Sequence, residues 1–472
     1  MRVIRNYIYN AGYQILLMFT PLITTPYISR VLGAHYTGIN EYTNSWVTFF
    51  YLIGQMGVIL YGNREIAYHR NDQYKRSKTF WEIELLQTCT ISVSLIAYLM
   101  AVFVFSTTFK EYFLLQTLWI IATAVDVSWF FMGMEDFKKT VVRNTIVKIV
   151  TIALIFFVVK TSNDLWKYII LLGGAQLAGN LTLWPYLRKL VHWVPLRELH
   201  PFQHFYPAFL LFIPTITTQV YLVVNRLMLG HMATPADLGN FTYADRLVKL
   251  ILAIATATGS VMLPNVAQKF ANHDILGVRD SLYKSFDFVT AISVPMAIGL
   301  TAIAVKFAPW FLGNQYMQTG TIMMIEAPIV VLIAWSTVTG NQYLMPIDRV
   351  KEYTASVTAG AVVNVIANLF LIYWYKANGA AMATVLSEFT VTAIQLWCIR
   401  TTISRRRLFR HLWKYFLCGA LMYLAVYLVN LWLPMNIFTL TLQILIGVVV
   451  YVGSIWVIKA PVVIMVKELL HK

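Results

Sequence analysis

Two basic residues stand out because they lie within a stretch that is otherwise apolar. Arg246 and Lys249 are about one helical turn apart in the segment 239–263. A cation at membrane depth costs about 2.5–3.5 kcal/mol on insertion scales, so such residues are functional candidates. A guanidinium can hold a phosphate group through two N–H bonds, whereas an ammonium acts as a point charge. The alternative for Lys249 is a local ion pair with Asp245, which lies four residues earlier on the same helix face.

Three arginines at the ends of apolar stretches are further candidates for binding an anionic ligand. Arg226 lies near the end of the seventh stretch, and Arg30 holds the matching place after the first. Arg64 follows the second stretch, on the opposite side of the membrane. The alternatives are that Arg226 extends to the interface and that Arg30 and Arg64 anchor helix ends.

Polar side chains recur at helical spacing along the first, second and seventh stretches. Such a stripe faces either a water-filled lumen or a neighbouring helix with which it forms hydrogen bonds. The residues that we select from these stripes as ligand contacts are Asn10, Gln14, Glu41, Gln55, Tyr221 and Asn225.

Three acidic residues lie inside apolar stretches: Asp126, Glu326 and Glu388. A carboxyl group that faces the lumen can couple transport to a proton or a sodium ion. The alternative is a protonated acid or a pair with an intramembrane cation.

Enzyme signatures are missing from the sequence. The chain has no HExxH, no GxxxxGK[ST] and no GxSxG. Its nine histidines are dispersed, and its three cysteines form no CxxC pattern. We therefore expect no enzymatic activity, no metal site and no cofactor.

The composition identifies the elements that carry these residues. Of 472 residues, 58% are apolar and only 12% are charged, about half the charged share of a soluble domain. The mean hydropathy is +0.64. These values exclude a soluble enzyme, a disordered chain and a secreted disulfide scaffold, and they predict an all-α polytopic membrane protein.

A bilayer core of about 30 Å requires roughly 20 apolar residues per helix. This length predicts about fourteen transmembrane helices. Their approximate limits are 9–29, 39–61, 80–105, 112–132, 145–159, 166–186, 206–229, 239–263, 285–306, 320–339, 355–373, 379–399, 415–433 and 437–458.

Lysine and arginine set the orientation of these helices. Of 37 basic residues, 27 lie in the two terminal segments and in alternate loops such as 62–79 and 400–414, and six lie at the opposite ends. This asymmetry places both termini in the cytoplasm. The dense basic cluster in 400–414 is expected to lie against anionic lipid headgroups rather than nucleic acid.

An internal repeat divides the chain. PLITT at 21–25 resembles PTITT at 214–218, and Gly38-x3-Tyr42 resembles Gly239-x3-Tyr243. The order of these matches suggests two parallel six-helix lobes with two appended helices, although apolar helices also resemble one another by chance. The predicted domains are 1–200, 201–404 and 405–472.

Several motifs together resemble a known family. PLITTPYISRVLG at 21–33, YGNREIA at 61–67 and QYLMP at 342–346 occur in this order, followed by Asn364 and Asn368. The chain thereby resembles polysaccharide-repeat-unit flippases of the multidrug/oligosaccharidyl-lipid/polysaccharide (MOP) exporter superfamily.

The resemblance implies a V-shaped fold of two six-helix bundles, here with two extra helices. It also implies that undecaprenyl-diphosphate-linked oligosaccharide crosses the bacterial cytoplasmic membrane from the inner to the outer leaflet, for capsule, exopolysaccharide or a related envelope polysaccharide. The basic candidates would then bind diphosphate in a central cavity that opens by alternating access, and the polar candidates would contact sugars. Expected partners are this substrate, membrane lipids, a polysaccharide polymerase and glycosyltransferases, with no nucleic acid.

One position departs from the family pattern. Relatives often carry Asp-Arg before the Leu-Gly that ends the seventh helix, whereas this chain has Asn225 and Arg226. Ion coupling through an acid at that position is therefore in doubt.

Two other functions remain open. A drug or cation exporter of the same fold would require an anionic lumen. A membrane polymerase or ligase acting on the same lipid would typically require a large external loop, and the longest predicted external loop is 307–319.

The charge asymmetry makes a direct prediction about topology. Cysteines introduced into the loops 62–79 and 400–414 should react only with membrane-permeant reagents in intact cells, because both loops are predicted to be cytoplasmic. Labelling of either loop by an impermeant reagent would contradict the predicted topology.

Overall fold

The computed structural model describes residues 2–105, 108–256, 259–463 and 465, and these residues form helices joined by turns, with no strand among them. By their contacts the helices form two compact units, Met1–Gly230 (unit 1) and His231–Lys472 (unit 2). The predicted all-α membrane fold is confirmed.

Unit 1 begins with one long helix and continues with shorter ones. Its α-helices in the described residues are α1 (Arg2–Gln55), α2 (Val58–Tyr68), α3 (Gln73–Phe105), α4 (Lys110–Ala124), α5 (Ser128–Gly133), α6 (Phe137–Val158), α7 (Leu165–Leu181), α8 (Trp184–Leu187) and α9 (Phe205–Met232).

Unit 2 contains two of the longest helices and a π-helical turn, Thr337–Leu344. Its α-helices in the same described part are α10 (Pro235–Thr256), α11 (Gly259–Ala271), α12 (Ile275–Leu312), α13 (Met317–Glu326), α14 (Pro328–Ser336), α15 (Val350–Cys398), α16 (Arg405–Leu408), α17 (Leu412–Trp432) and α18 (Ile437–Val457).

Length and hydropathy identify the helices that can cross a membrane. Within the described ranges eight helical segments qualify, and the bent pair α13–α14 makes a ninth. The number of about fourteen crossings stays a prediction. The eight segments are Thr20–Tyr68, Gln73–Val104, Lys110–Gly133, Thr140–Val158, Ile275–Leu312, Val350–Thr401, Arg405–Trp432 and Ile437–Val457.

Two of the long helices contain a backbone break that separates two predicted spans. In α1 the break is at Gly33, with φ 73° and ψ 173°. In α15 it is at Lys376, with φ 50° and ψ −124°. After this break α15 folds back on itself, because Ser387 Oγ donates to the carbonyl oxygen of Gly360 at 2.8 Å. The apolar segments 355–373 and 379–399 are thus the two arms of a helical hairpin.

Helix α9 packs closely against α1 within unit 1. A Cβ atom at Gly230 would lie only 2.3 Å from Cδ2 of Tyr42, so the missing side chain permits this contact. Near the start of α9, a Cβ at Gly57, in the turn between α1 and α2, would lie 2.7 Å from the carbonyl oxygen of Ala208. These contacts explain why unit 1 extends to residue 230. The predicted domains were drawn from the sequence repeat and not from contacts, so they stay a prediction. They are 1–200, 201–404 and 405–472.

The last two long helices are fixed to α12 by buried polar contacts. Tyr451 of α18 donates to the carbonyl oxygen of Ala291 at 2.8 Å. Asn430 of α17 donates to the carbonyl oxygen of Ala302 at 3.1 Å. Because unpaired polar groups are costly in an apolar surrounding, these bonds set the position of both helices along α12.

The turn of the α15 hairpin has no space for a side chain at Gly379. A Cβ there would lie 1.9 Å from the backbone oxygen of Leu371, an atom that cannot rotate away. We expect Gly379→Ala to lower the free energy of unfolding in detergent by about 1–3 kcal/mol or more, as overpacking does. Gly453→Ala is the matched control, because a Cβ there meets nothing within 4 Å. Equal stability of the two variants would refute this packing.

Candidate functional site

The basic residues of α10 have different surroundings, although they are close in sequence. Lys249 Nζ lies 2.6 Å from Oδ1 and 2.8 Å from Oδ2 of Asp245, which is 3% exposed. The local ion pair considered for Lys249 is therefore present. This pairing neutralises the charge that Lys249 would otherwise offer to a ligand.

Arg246 lies over an aromatic ring. Its Cζ lies 5.5 Å from the ring centroid of Tyr243, within the range of a cation–π interaction. Tyr243 is 3% exposed and contacts Tyr316 edge to face, with 5.2 Å between ring centroids. Arg246 itself is half-buried. A guanidinium positioned over a fixed ring is well suited to bind a planar or bidentate anion.

The packing of α10 against α13 is set by hydrogen bonds at one end. Thr319 Oγ1 donates to Oδ1 of Asn240 at 2.8 Å, and the Thr319 N–H donates to the same oxygen at 3.2 Å. From this contact α10 and α13 run parallel to each other. Glu326, one of the predicted coupling residues, is thereby brought close to Asp245 and Lys249, which act on it electrostatically.

In unit 1, two of the predicted residues are brought together. Arg226 Nη1 of α9 lies 3.6 Å from Oε2 of Glu41 of α1. Glu41 and Asn225 are 8% and 6% exposed, respectively. Arg226 is one helical turn before Gly230, where α9 touches α1. The pair therefore belongs to the helix contact, and the role of Glu41 and Asn225 in sugar contact stays a prediction.

The remaining basic and polar candidates are spread over unit 1. Arg30 is exposed on α1, three residues before the Gly33 break, and Gln55 is half-buried at the end of α1. Arg64 is exposed on α2, pairs with Glu65 at 3.0 Å and lies 5.3 Å from the ring of Tyr61. Three further candidates lie on described helices, but their side chains are outside the described part: Asn10, Gln14 and Tyr221.

The other two acidic candidates have local contacts. Asp126 Oδ1 accepts a hydrogen bond from the N–H of Ser128 at 2.9 Å, at the start of α5. Glu388 is half-buried on α15 and acts electrostatically on Tyr353. Neither contact tests a role in ion coupling, which stays a prediction for both residues.

A buried cluster that the sequence analysis missed joins α3 to the segment before α9. Glu82 is 2% exposed and accepts hydrogen bonds from the N–H of His200 at 2.9 Å and from Nε2 of Gln203 at 3.1 Å. Its Oε2 is 3.0 Å from Nε2 of His204, whose Nδ1 is 2.7 Å from the hydroxyl of Tyr61. This cluster fixes the start of α9 to α2 and α3.

A second missed acid is Glu84, which is also buried in α3. Asp126 acts on it electrostatically. Both Glu82 and Glu84 lie at the start of the apolar segment 80–105, so the same search for acids in apolar stretches could have found them.

Basic residues of the loop 62–79 hold neighbouring loops together. Arg70 donates to the carbonyl oxygen of Gly133 at 3.0 Å and pairs with Glu135 at 3.0 Å. The hydrogen bond from Arg70 to the Glu135 carboxylate and the positive charge of Arg70 lower the pKa of Glu135. Arg76 donates to the carbonyl oxygen of Leu190 at 2.8 Å. Arg70 and Arg76 therefore hold neighbouring loops together, in addition to contributing to the charge asymmetry that predicts the membrane topology.

Comparison with known proteins assigns the family. The family model described as polysaccharide biosynthesis protein matches residues 3–270, more than half of the chain. The chain belongs to this family. A protein of Escherichia coli (strain K12) named "Putative O-antigen transporter" is 24% identical over 409 residues, which are 84% of this chain and 96% of that protein. The resemblance drawn from the motifs is confirmed.

Solved structures agree with the fold. The inward closed conformation of lipid II flippase MurJ matches with a TM-score of 0.74 at 16% identity, over 98% of this chain and 100% of MurJ. An inward-facing multidrug resistance MATE family transporter of the MOP superfamily matches with a TM-score of 0.63 at 13% identity, over 81% of this chain and 94% of that chain. The MOP-type fold predicted for this family member is confirmed.

The Glu41–Arg226 pair can be tested by a double-mutant cycle. Glu41→Gln and Arg226→Gln should each cost about 1–3 kcal/mol of unfolding free energy in detergent, because each leaves a partly buried charge without this partner. The double variant should cost less than the sum of the two single variants, because both remove the same contact.

The exposed pair Asp280–Lys284, with 2.9 Å between its charged atoms, is the matched control, and its coupling should be about 0–1 kcal/mol. Additive effects at Glu41 and Arg226 would show that the pair does not support the α1–α9 contact. A double variant that regains stability but not export would indicate that Arg226 also acts on the substrate.

Proposed function

We propose that this protein is a flippase for lipid-linked oligosaccharides in the bacterial cytoplasmic membrane. It would move an undecaprenyl-diphosphate-linked repeat unit from the cytoplasmic to the outer leaflet, for capsule, exopolysaccharide or a related envelope polysaccharide. The family assignment, the E. coli relative matched over nearly its full length and the MOP-type fold support this proposal.

The observation that carries the proposal is Arg246 on its aromatic support. The head of the substrate is anionic and hydrated, and moving it through a bilayer requires a compensating cation at membrane depth. Arg246 supplies that cation on a predicted membrane helix, and the buried ring of Tyr243 limits the positions it can take. A bidentate bond between guanidinium and phosphate combines charge with directionality.

The other basic candidates suggest an order of events. Arg64, exposed near the predicted cytoplasmic ends of α2 and α3, would meet the incoming diphosphate. Arg246 would hold it during the crossing, and Arg226 and Arg30 would lie along the outer exit. Throughout, the isoprenoid tail would stay in the lipid, so only the head needs a polar path. Alternating access would open this path first to one side and then to the other.

The two other functions receive less support. A cationic drug would be repelled by Arg246, which favours an anionic substrate. A polymerase or ligase would need an external domain for its chemistry. The predicted loop 307–319 instead contains the end of α12, one helical turn at Asn314–Tyr316 and the start of α13. The E. coli relative and the two solved structures are named as transporters or a flippase, which favours transport over catalysis.

Several finer statements are part of the same proposal. Both termini would lie in the cytoplasm. Two six-helix lobes, 1–200 and 201–404, would enclose the path, and the segment 405–472 would add two helices. A polysaccharide polymerase and glycosyltransferases would act on the same lipid before or after transport.

Substitution of Arg246 tests the proposed function. In cells that lack their own flippase, Arg246→Ala should reduce export of the cognate polymer by a factor of about ten or more, since a hydrogen bond to a charged group contributes about 1.5–3 kcal/mol. Arg246→Lys should retain part of the activity, because it keeps the charge and loses the bidentate geometry. Transfer of a fluorescent lipid-diphosphate sugar between the leaflets of proteoliposomes measures the same step directly.

The matched control is Lys284→Ala, which removes a cation from an exposed ion pair on α12. It should leave transport unchanged. Full export by Arg246→Ala at normal protein abundance would remove Arg246 from the site.

A further inference from the structure

The segment that connects α8 to the start of α9 carries large apolar side chains on its surface. This connecting segment comprises residues 188–206 and contains two short helical turns, Leu196–Glu198 and Pro201–His204. Four of its large side chains are between 64% and 72% exposed: Trp193, Leu196, Phe202 and Tyr206. A segment surrounded by water rarely exposes several such side chains together, so this surface indicates contact with a membrane or with another protein.

The first turns of α3 hold the connecting segment in place. Trp81 Nε1 donates to the carbonyl oxygen of His192 at 3.0 Å, and the N–H of His192 donates to Oγ of Ser77 at 3.0 Å. Near its end the segment is bound by Glu82, which lies 3.0 Å from Nε2 of His204. Its inward apolar side chains are buried: Val191, Val194 and Leu199. Because backbone and inward side chains are both engaged, the exposed apolar side chains are held on the outside.

Helix α3 carries an exposed apolar stripe of its own. The stripe follows the spacing of one helix face, and its members are Cys89, Val93, Ile96, Met100 and Phe103. It is about 21 Å long at 1.5 Å per residue, which is most of a hydrocarbon core of about 30 Å. Since α3 is long and apolar enough to cross a membrane, the stripe is the face that it offers to lipid.

A groove of about 430 Å³ lies where this stripe meets the connecting segment and the end of α1. Its lining is almost entirely apolar and includes Phe50 and Ile53 of α1, Cys89 and Val93 of α3, and Phe202 and Phe205 of the connecting segment. All of these residues belong to unit 1. Because Val93 lies in both the groove and the exposed stripe, lipid of the surrounding bilayer reaches the groove directly.

The charges of the connecting segment favour a membrane over a protein partner. Arg188, Lys189 and Arg197 are exposed, and Glu198 is the only acidic residue in 188–206. The segment joins the predicted spans 166–186 and 206–229 on the side that the charge asymmetry predicts to be cytoplasmic. Aromatic side chains beside cations are typical of a segment at a membrane–water interface, and the cations attract anionic lipids.

We propose that the connecting segment lies in the headgroup region of the cytoplasmic leaflet and binds an anionic phospholipid there. One acyl chain occupies the groove beside Phe202 and Phe205, and the headgroup lies beside the exposed cations of the segment. The bound lipid anchors the start of α9 at the interface. The choice of leaflet rests on the predicted topology, and the lipid site itself does not depend on the proposed transport function.

Spin labels test the position of the connecting segment. Leu196→Cys is labelled in a chain whose three native cysteines are replaced by alanine, and the purified protein is placed in liposomes that contain phosphatidylglycerol. The label should be accessible to oxygen and protected from a water-soluble paramagnetic chelate. Asn71→Cys is the matched control, because Asn71 is exposed in the turn between α2 and α3 on the same predicted side, and its label should meet the chelate. Equal access of the chelate to both labels would overturn the interfacial position and indicate a surface for a protein partner.

Mass spectrometry of the intact full-length protein in detergent tests the groove. The wild type should retain added phosphatidylglycerol, and Ala97→Trp should lose most of it, because Ala97 lines the groove and the larger side chain fills it. Ala153→Trp on α6 is the matched control, since Ala153 is exposed and lies outside the groove, and it should retain the lipid. Equal retention by Ala97→Trp and the wild type would overturn the groove as the lipid site.

The native thiol of Cys89 gives a second measurement that needs no change in the groove. In a chain with Cys398→Ala and Cys418→Ala, phosphatidylglycerol should slow the reaction of Cys89 with a small maleimide in detergent. Phosphatidylcholine should slow it less, because its headgroup has no net charge for the cations to attract. An unchanged rate with phosphatidylglycerol would refute binding in the groove, and equal protection by both lipids would refute recognition of an anionic headgroup.

Competition identifies the occupant. Undecaprenyl diphosphate should not displace phosphatidylglycerol from the wild type in the mass spectrometric measurement, and displacement would show that the groove binds an isoprenoid tail instead. None of these measurements requires transport. If the protein fails to transfer a fluorescent lipid-diphosphate sugar in proteoliposomes, the proposed function fails, while the label and lipid measurements still decide whether the connecting segment binds phospholipid.

Discussion

The cost of a charge in hydrocarbon is the constraint on which the candidate site depends. A bilayer core offers no water to solvate an ion, so a charged side chain at that depth must be paired, neutralised by a proton or reserved for a ligand. Glu41–Arg226 and Asp245–Lys249 satisfy the constraint by pairing. Arg246 also lies over an aromatic ring, which attracts a cation without cancelling its charge.

Close helix packing makes the pairs possible. The contact of Gly230 with Tyr42 brings α9 near enough to α1 for Arg226 to reach Glu41. The hydrogen bonds between Asn240 and Thr319 likewise hold α13 beside α10. In a membrane, helices gain little hydrophobic energy by associating, so small residues and polar bonds of this kind determine which helices meet. The glycine contact and the hydrogen bonds that stabilise the two units therefore also determine which charged side chains lie near each other.

Much of the fold could be predicted because it depends on local sequence. Apolar run length located the helices, and the breaks at Gly33 and Lys376 fall in the gaps between predicted segments. The contacts of the candidate site depend on residues far apart in sequence. The pair Asp245–Lys249 could be considered from the sequence because its residues are four apart on one helix. Glu82 and His204 are 122 residues apart, and a local sequence pattern cannot predict a contact over that separation. The environment of Glu326 was hidden for the same reason, although its type and depth made it a candidate.

At position 225 the chain departs from the family pattern, and the anionic partner of Arg226 comes from another helix. The family resemblance implies an acid beside Arg226, whereas this chain has Asn225, which is buried and does not titrate. Arg226 keeps an anionic partner because Glu41 of α1 supplies the carboxylate from another helix. The carboxylate of Glu41 therefore belongs to the contact between α1 and α9. Among the three acids predicted for ion coupling, Glu326 combines a buried carboxyl without a hydrogen-bond partner in the described residues with a position at a bend.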